Sequence, residues 1–166
     1  DFSAFRQYHA KLEELFPHLF AACEKRTFDG TLLLRWPGED EALRPMMLMA
    51  HCDVVAASEE GWLHPPFAGE SDGGFVWGRG AIDTKDTMCA FMSAADELIE
   101  EGFTPRRSVY FLCGHNEECS GDGVPQAVHY LQEQGVRLES VLDEGGHVTQ
   151  GPLPGLKGWY ALCSVA

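Results

Sequence analysis

Residues 46–55 read Met-Met-Leu-Met-Ala-His-Cys-Asp-Val-Val. Five apolar residues run straight into His51, and Asp53 follows two positions later. An apolar run of strand length suits the interior of a sheet covered on both faces. An imidazole and a carboxylate are costly in such an interior unless something pairs with them. The stretch therefore predicts a buried strand that delivers polar chemistry at its carboxyl end. If the strand persists that far, His51 and Asp53 share one face and Cys52 points to the other.

The flanking segments define the setting. Residues 2–25 carry apolar side chains at helical spacing (Phe5, Tyr8, Leu12, Leu15, Phe16, Leu19), which predicts one or two amphipathic helices interrupted near Pro17. "GTLLLRW" reads as a strand, and with "MMLMAH" and the polar turn between them it reads as a hairpin. Residues 52–80 form a long ordered loop with a small hairpin around Asp72-Gly73-Gly74; loops of this length in a compact domain usually serve function. "TKDTMCAFMSAADELIEEG" and "GVPQAVHYLQEQG" read as helices ended by Gly102 and Gly135. "RRSVYFLCG", "LESVLDEGG" and "GWYALCSVA" read as strands. Strands alternating with helices give an α/β class.

Composition narrows the function classes. A chain of 166 residues with 45% hydrophobic and 23% charged residues folds as a globular domain. Its formal net charge of −14 argues against nucleic acid and anionic membrane surfaces as partners. No apolar run approaches the roughly 20 residues of a membrane span. No secretory signal pattern is present, and a cytoplasmic location is expected, although a chain opening on Asp1 is read as trimmed. None of the six cysteines has C-x-x-C spacing, which argues against a thiolate zinc site; they read as small buried hydrophobes in a reducing compartment.

Four segments deliver acids or imidazole at the end of an apolar run: His51 and Asp53, Asp83, Glu117 with Glu118, and Asp143 with Glu144. Singly, each has an ordinary structural use. A strand-terminal His is satisfied locally, an adjacent Glu pair is solvated, Asp83 caps a helix, and Asp143 opens a turn. Together they point to one edge of an open α/β sheet, where sites gather at the carboxyl ends of the strands. One imidazole with several carboxylates and no thiolate suits Zn²⁺, Mn²⁺ or Co²⁺. Crowded carboxylates raise one another's pKa, and a dication relieves the repulsion. A carboxylate can bridge two metals about 3.5–4 Å apart, as in two-metal hydrolases. Asp53 is placed to orient the imidazole, a usual partner for a metal-bound His. Of the adjacent Glu117 and Glu118, one can face the metal and the other the water.

The motifs "LMAHCDVV", "WLHPPFAGE", "VWGRGAIDTKD", "GHNEECSGDG" and "VLDEGG" occur in the order found in the M20 metallopeptidases. The chain resembles their carboxypeptidase S / Gly-X carboxypeptidase-like branch over residues 31–158. The resemblance implies a zinc-exopeptidase-like mixed sheet flanked by helices, truncated before a lid domain. It divides the chain into a helical region (1–26), a motif-bearing core (31–158) and the start of a strand toward the lid (158–166). It implies two Zn²⁺ per complete site, with Co²⁺ or Mn²⁺ also suited.

Residue by residue, the resemblance makes His51 a metal ligand supported by Asp53, Asp83 the bridging ligand after which the peptide bond is cis, and Glu117 the general base. Glu118 becomes a ligand of the second metal, and Asp143 completes the first. His64 is expected to shape the cleft rather than bind metal. The family's usual Asp-Asp-Lys-Gly is here Asp83-Thr84-Lys85-Asp86, a variation behind the ligand. The second metal's His is expected after the lid, outside these residues, and His147 does not match its position. The implied activity is hydrolysis of a peptide or amide bond, with a small peptide or N-acyl amino acid as substrate and a homodimer through the lid. N-acyl amino acid deacylation and dipeptide cleavage stand as alternatives, as does a non-catalytic fragment with an incomplete site.

Overall fold

The computed structural model describes residues 1–145, 148–151 and 153–161. Two helices, α1 (Ser3–Leu15) and α2 (Pro17–Ala22), lead into β1 (Glu24–Phe28), β2 (Thr31–Trp36) and β3 (Met46–His51). The hairpin of β4 (Glu70–Asp72) and β5 (Phe75–Trp77) and an irregular turn, Ala81–Lys85, precede α3 (Asp86–Glu100). Then come β6 (Val109–Gly114), α4 (Gly123–Glu133), β7 (Ser140–Leu142), β8 (Val148–Gln150) and β9 (Trp159–Ala161).

The main sheet has the order β1-β2-β6-β3-β7. Strand β3 runs parallel to β6 and β7, while β1 and β2 pair antiparallel and β2 is antiparallel to β6. The expected β2–β3 hairpin does not form, because β6 inserts between the two strands. Strand β6 is buried at all six positions, and a strand apolar on both faces gains more in the middle of the sheet than at its side. The hairpin is instead β1–β2, closed by Asp29-Gly30, with Asp29 at φ 55°. The helical reading of residues 2–25 holds through Ala22, after which Glu24–Phe28 turns to strand. The Asp29-Gly30 pair is a hairpin signal that the helical periodicity obscured.

Strict alternation splits the core between the two faces of the sheet. Leu32, Leu34, Trp36, Val109, Phe111 and Cys113 pack against Leu12, Leu19, Met88 and Met92 of the helices. Leu33, Met47, Tyr110 and Leu112 pack against Ala127 and Leu131 of α4. In α3 the buried positions Met88, Met92 and Ala95 recur at helical spacing. Each fully buried Leu, Met or Phe contributes about 1.5–3 kcal/mol over exposure, enough for the two faces to fix the sheet. Cys52 and Cys113 fit the buried reading, but Cys89 and Cys119 are exposed, and Cys163 lies outside the described residues. The five described cysteines are free thiols. Among the described residues, no helix is long and apolar enough to cross a membrane.

Candidate metal centre

By the alternation of β3, His51 lies in phase with Met47 and Met49, and Ala50 takes the opposite side; Cys52 and Asp53 lie beyond the end of the strand. His51 is 2% exposed, the most enclosed group of the site. Its Nδ1 lies 3.2 Å from the Asp53 carbonyl oxygen and 3.3 Å from Asp53 Oδ1. Its Nε2 faces the opening, 3.0 Å from Asp83 Oδ1, 2.9 Å from Glu144 Oε1 and 3.9 Å from Glu117 Oε2. The imidazole is therefore braced on one nitrogen and presented to carboxylates on the other.

Asp53 does more than the sequence reading gave it. Its two carboxylate oxygens accept the backbone N–H groups of Glu117 and Glu118, both at 3.1 Å. One side chain thus ties the end of β3 to the turn after β6. Sequence spacing gives no sign of a contact across 64 positions.

Asp83 reaches the site by a different route from the one expected. It does not end a strand of the main sheet, since β5 belongs to the separate two-stranded hairpin. It sits in the Ala81–Lys85 turn, and it makes no side-chain capping bond to α3, whose own cap residue is Lys85. The peptide bond to Thr84 is cis, as the motif resemblance implied.

Glu117 and Glu118 lie in a turn rather than extended backbone, closed by Ser120 N–H donating to the Glu117 carbonyl at 2.8 Å. Their carboxylates still take different neighbours. One grouping of potential ligand atoms within 4.8 Å joins His51, Glu117 and Glu144, and the other joins His51, Asp83 and Glu118. Asp143 lines the same cavity, of about 360 Å³, but belongs to neither grouping. Its carboxylate instead accepts the Glu144 N–H at 2.9 Å. Glu144, named in the acidic cluster but given no role, is the residue that reaches His51. His64 takes no part among the described residues; it pairs with Glu70 at 2.7 Å and lies against Trp77 with ring centroids 4.6 Å apart. His147 lies outside the described residues.

The electrostatics fit a cation. Burial pushes the His51 pKa down, but the Glu144 charge, the bond to Asp83 and the Asp53 charge outweigh it, and the result is raised above the ordinary value. Burial raises the Glu144 carboxyl; His51 opposes this, while Asp83, Glu117 and Asp143 push it further up. Carboxylates held this close around one imidazole carry a repulsion that a divalent ion removes. The donor set, one nitrogen and several carboxylate oxygens with no thiolate among them, suits zinc, manganese or cobalt.

The fold and its edge define an α/β domain whose polar site is gathered where parallel β3 and β6 end and α3 and α4 begin. The chain belongs to peptidase family M20/M25/M40, whose sequence profile matches residues 47–160. It is 43% identical over 129 residues to the N-fatty-acyl-amino acid synthase/hydrolase PM20D1 of Mus musculus, covering 77% of this chain and 26% of that protein. It is 38% identical over 151 residues to carboxypeptidase S of Saccharomyces cerevisiae, covering 85% of this chain and 26% of that protein. The crystal structure of human carnosine dipeptidase 1 superposes with a TM-score of 0.68 at 16% identity, over 87% of this chain and 35% of that one, a likeness of fold. The chain spans between 26% and 33% of the length of the curated relatives it matches.

Proposed function

We propose that the protein of which these residues form part hydrolyses a peptide or amide bond at an amino-acid-bearing nitrogen, using two divalent metal ions, zinc in the first instance. The observation that carries this reading is the arrangement around His51 Nε2, which meets Asp83 and Glu144 within 3.0 Å while Asp53 braces the other nitrogen. His51, Asp83 and the acidic position after β7 would hold one ion; Asp83 and Glu118 would contribute to the other. The position after β7 is an Asp143-Glu144 pair: the motif assigns Asp143, and Glu144 stands closer to His51. Ions bound there would polarise a carbonyl and make water nucleophilic near neutral pH.

The chain's own residues then divide the work. Glu117, half exposed and 3.9 Å from His51 Nε2, accepts the proton of the attacking water and returns it to the leaving amine. Asp53 fixes the imidazole on one side and the Glu117-Glu118 backbone on the other. Met49, Ala50 and Val124 line the same cavity as these acids. The substrate class, a peptide or N-acyl amino acid, is supported by relatives named as a carboxypeptidase and an N-fatty-acyl-amino acid synthase/hydrolase.

A second reading concerns the 166 residues alone. Both ligand groupings draw on the same imidazole, so the described residues offer one His between two prospective ions. That favours an incomplete site, inactive by itself.

Release of free amino acid from peptides and from N-acyl amino acids by the full-length protein tests the main reading. Turnover of at least one substrate type is expected, lost on chelation and restored by Zn²⁺. Metal-loaded protein that releases nothing from either type, or turnover that persists with no metal bound, would overturn it.

A further inference from the structure

We propose that His115 is a positioning residue for the Glu117 and Glu118 carboxylates, acting through its bond to Thr31. The inference rests on the proposed use of those carboxylates. His115 directly follows β6 and precedes Glu117 by two residues. It is 6% exposed, and its Nδ1 lies 2.7 Å from Thr31 Oγ1.

The ring is caged from several directions. Phe2 and Phe5 approach it edge-on, with centroids at 5.3 and 5.2 Å. A Cβ at Gly30 would come within 2.8 Å of the ring. A Cβ at Gly123 would come within 2.5 Å of Nδ1 and 2.2 Å of Thr31 Oγ1. The N-terminal residues, the β1–β2 turn and the first residue of α4 therefore all close on one imidazole. His9, buried in α1, donates from Nε2 to the Gly30 carbonyl at 3.1 Å and holds that turn in place.

From this fixed ring the backbone enters the turn that carries both glutamates. Gly121 N–H donates to the Asn116 carbonyl at 2.8 Å, and Gly123 N–H donates to Asn116 Oδ1 at 3.2 Å. Asp53 holds the same turn from the β3 side by the N–H groups of Glu117 and Glu118. The turn is thus clamped at two points, Asp53 and the His115–Thr31 pair. Two clamps on a short turn fix the backbone from which both carboxylates project, as a site supported by its neighbours requires. A purely structural His would add stability without affecting the geometry of the turn.

The test uses Thr31→Val, which keeps the shape and removes the hydroxyl, and Thr31→Ser, which restores it, in the full-length protein. Backbone hydrogen exchange is followed by mass spectrometry on metal-free protein, and kcat and KM are measured on metal-loaded protein. Thr31→Val is expected to speed exchange in residues 115–121 at least tenfold, leaving β3 and α3 unchanged. It is expected to lower kcat at least tenfold with KM within twofold, and Thr31→Ser is expected to recover both. Uniformly faster exchange, or unchanged exchange in residues 115–121, would overturn the proposal. Selective faster exchange in a parent that hydrolyses no amide would uphold the positioning and remove the functional reading.

Discussion

Glu117→Gln in the full-length protein is expected to lower kcat by a factor of about 10²–10⁴ with its metal content unchanged. The substitution keeps the size and hydrogen-bonding reach of the side chain and removes its capacity to take a proton. Glu117 is more than half exposed and sits farther from His51 Nε2, at 3.9 Å, than Asp83 or Glu144. Glu117 is thus the carboxylate least engaged with the imidazole, as a base held off the metals would be. Glu117 also belongs to one of the two groupings of potential ligand atoms, so the alternative role is concrete. Steady-state kinetics with elemental analysis separates the two. Retained activity removes the assignment as base. Loss of metal together with activity makes Glu117 a ligand.

Asp53→Ala is the second large effect. One carboxylate accepts two backbone N–H groups at 3.1 Å and lies 3.3 Å from His51 Nδ1. Alanine releases the imidazole and the Glu117-Glu118 turn together. Loss of an outer partner of a metal-bound His typically costs about 10–100-fold in metal affinity or activity, and a loss at the upper end is expected here because two ligand-bearing segments are freed at once. Asp53→Asn keeps one acceptor oxygen and sets an amide N–H₂ against the other N–H, so it should fall between Ala and the parent. Zinc titration against a competing chelator, with kcat measured in parallel, checks both variants. Reduced unfolding stability with unchanged zinc affinity would contradict the bracing role.

The sequence was legible where one local rule decided the outcome. The apolar run 46–50 identified a buried strand ending on His51; β3 stops there, so Asp53, expected on the same strand face, meets the imidazole from the loop beyond it. The stretch 84–102, read as a helix ended by Gly102, marked α3. Pairing was not legible. Which strand lies beside β2 depends on the competition between β3 and β6 for its edge, and the fully apolar β6 wins by burying both faces. The same limit applied within the site. His51 was visible as an imidazole at a strand end, and the acids were visible as a cluster. That Glu144 rather than Asp143 turns toward His51 depends on the course of the chain after β7, where Asp143 is occupied with the Glu144 N–H. The contact from Asp53 to Glu117 and Glu118, and the clamp of Thr31 on His115, span 64 to 84 positions and have no local signature.

The central claim is that this acidic edge, organised on His51, holds divalent metal. Anomalous diffraction from zinc-loaded crystals of the full-length protein, recorded above and below the zinc absorption edge, tests it most directly. Anomalous peaks are expected in the cavity lined by His51, Asp83, Glu117 and Glu144, with His51 and Asp83 among the ligands. Zinc bound elsewhere, at His64 for example, with no peak beside His51, would contradict the account.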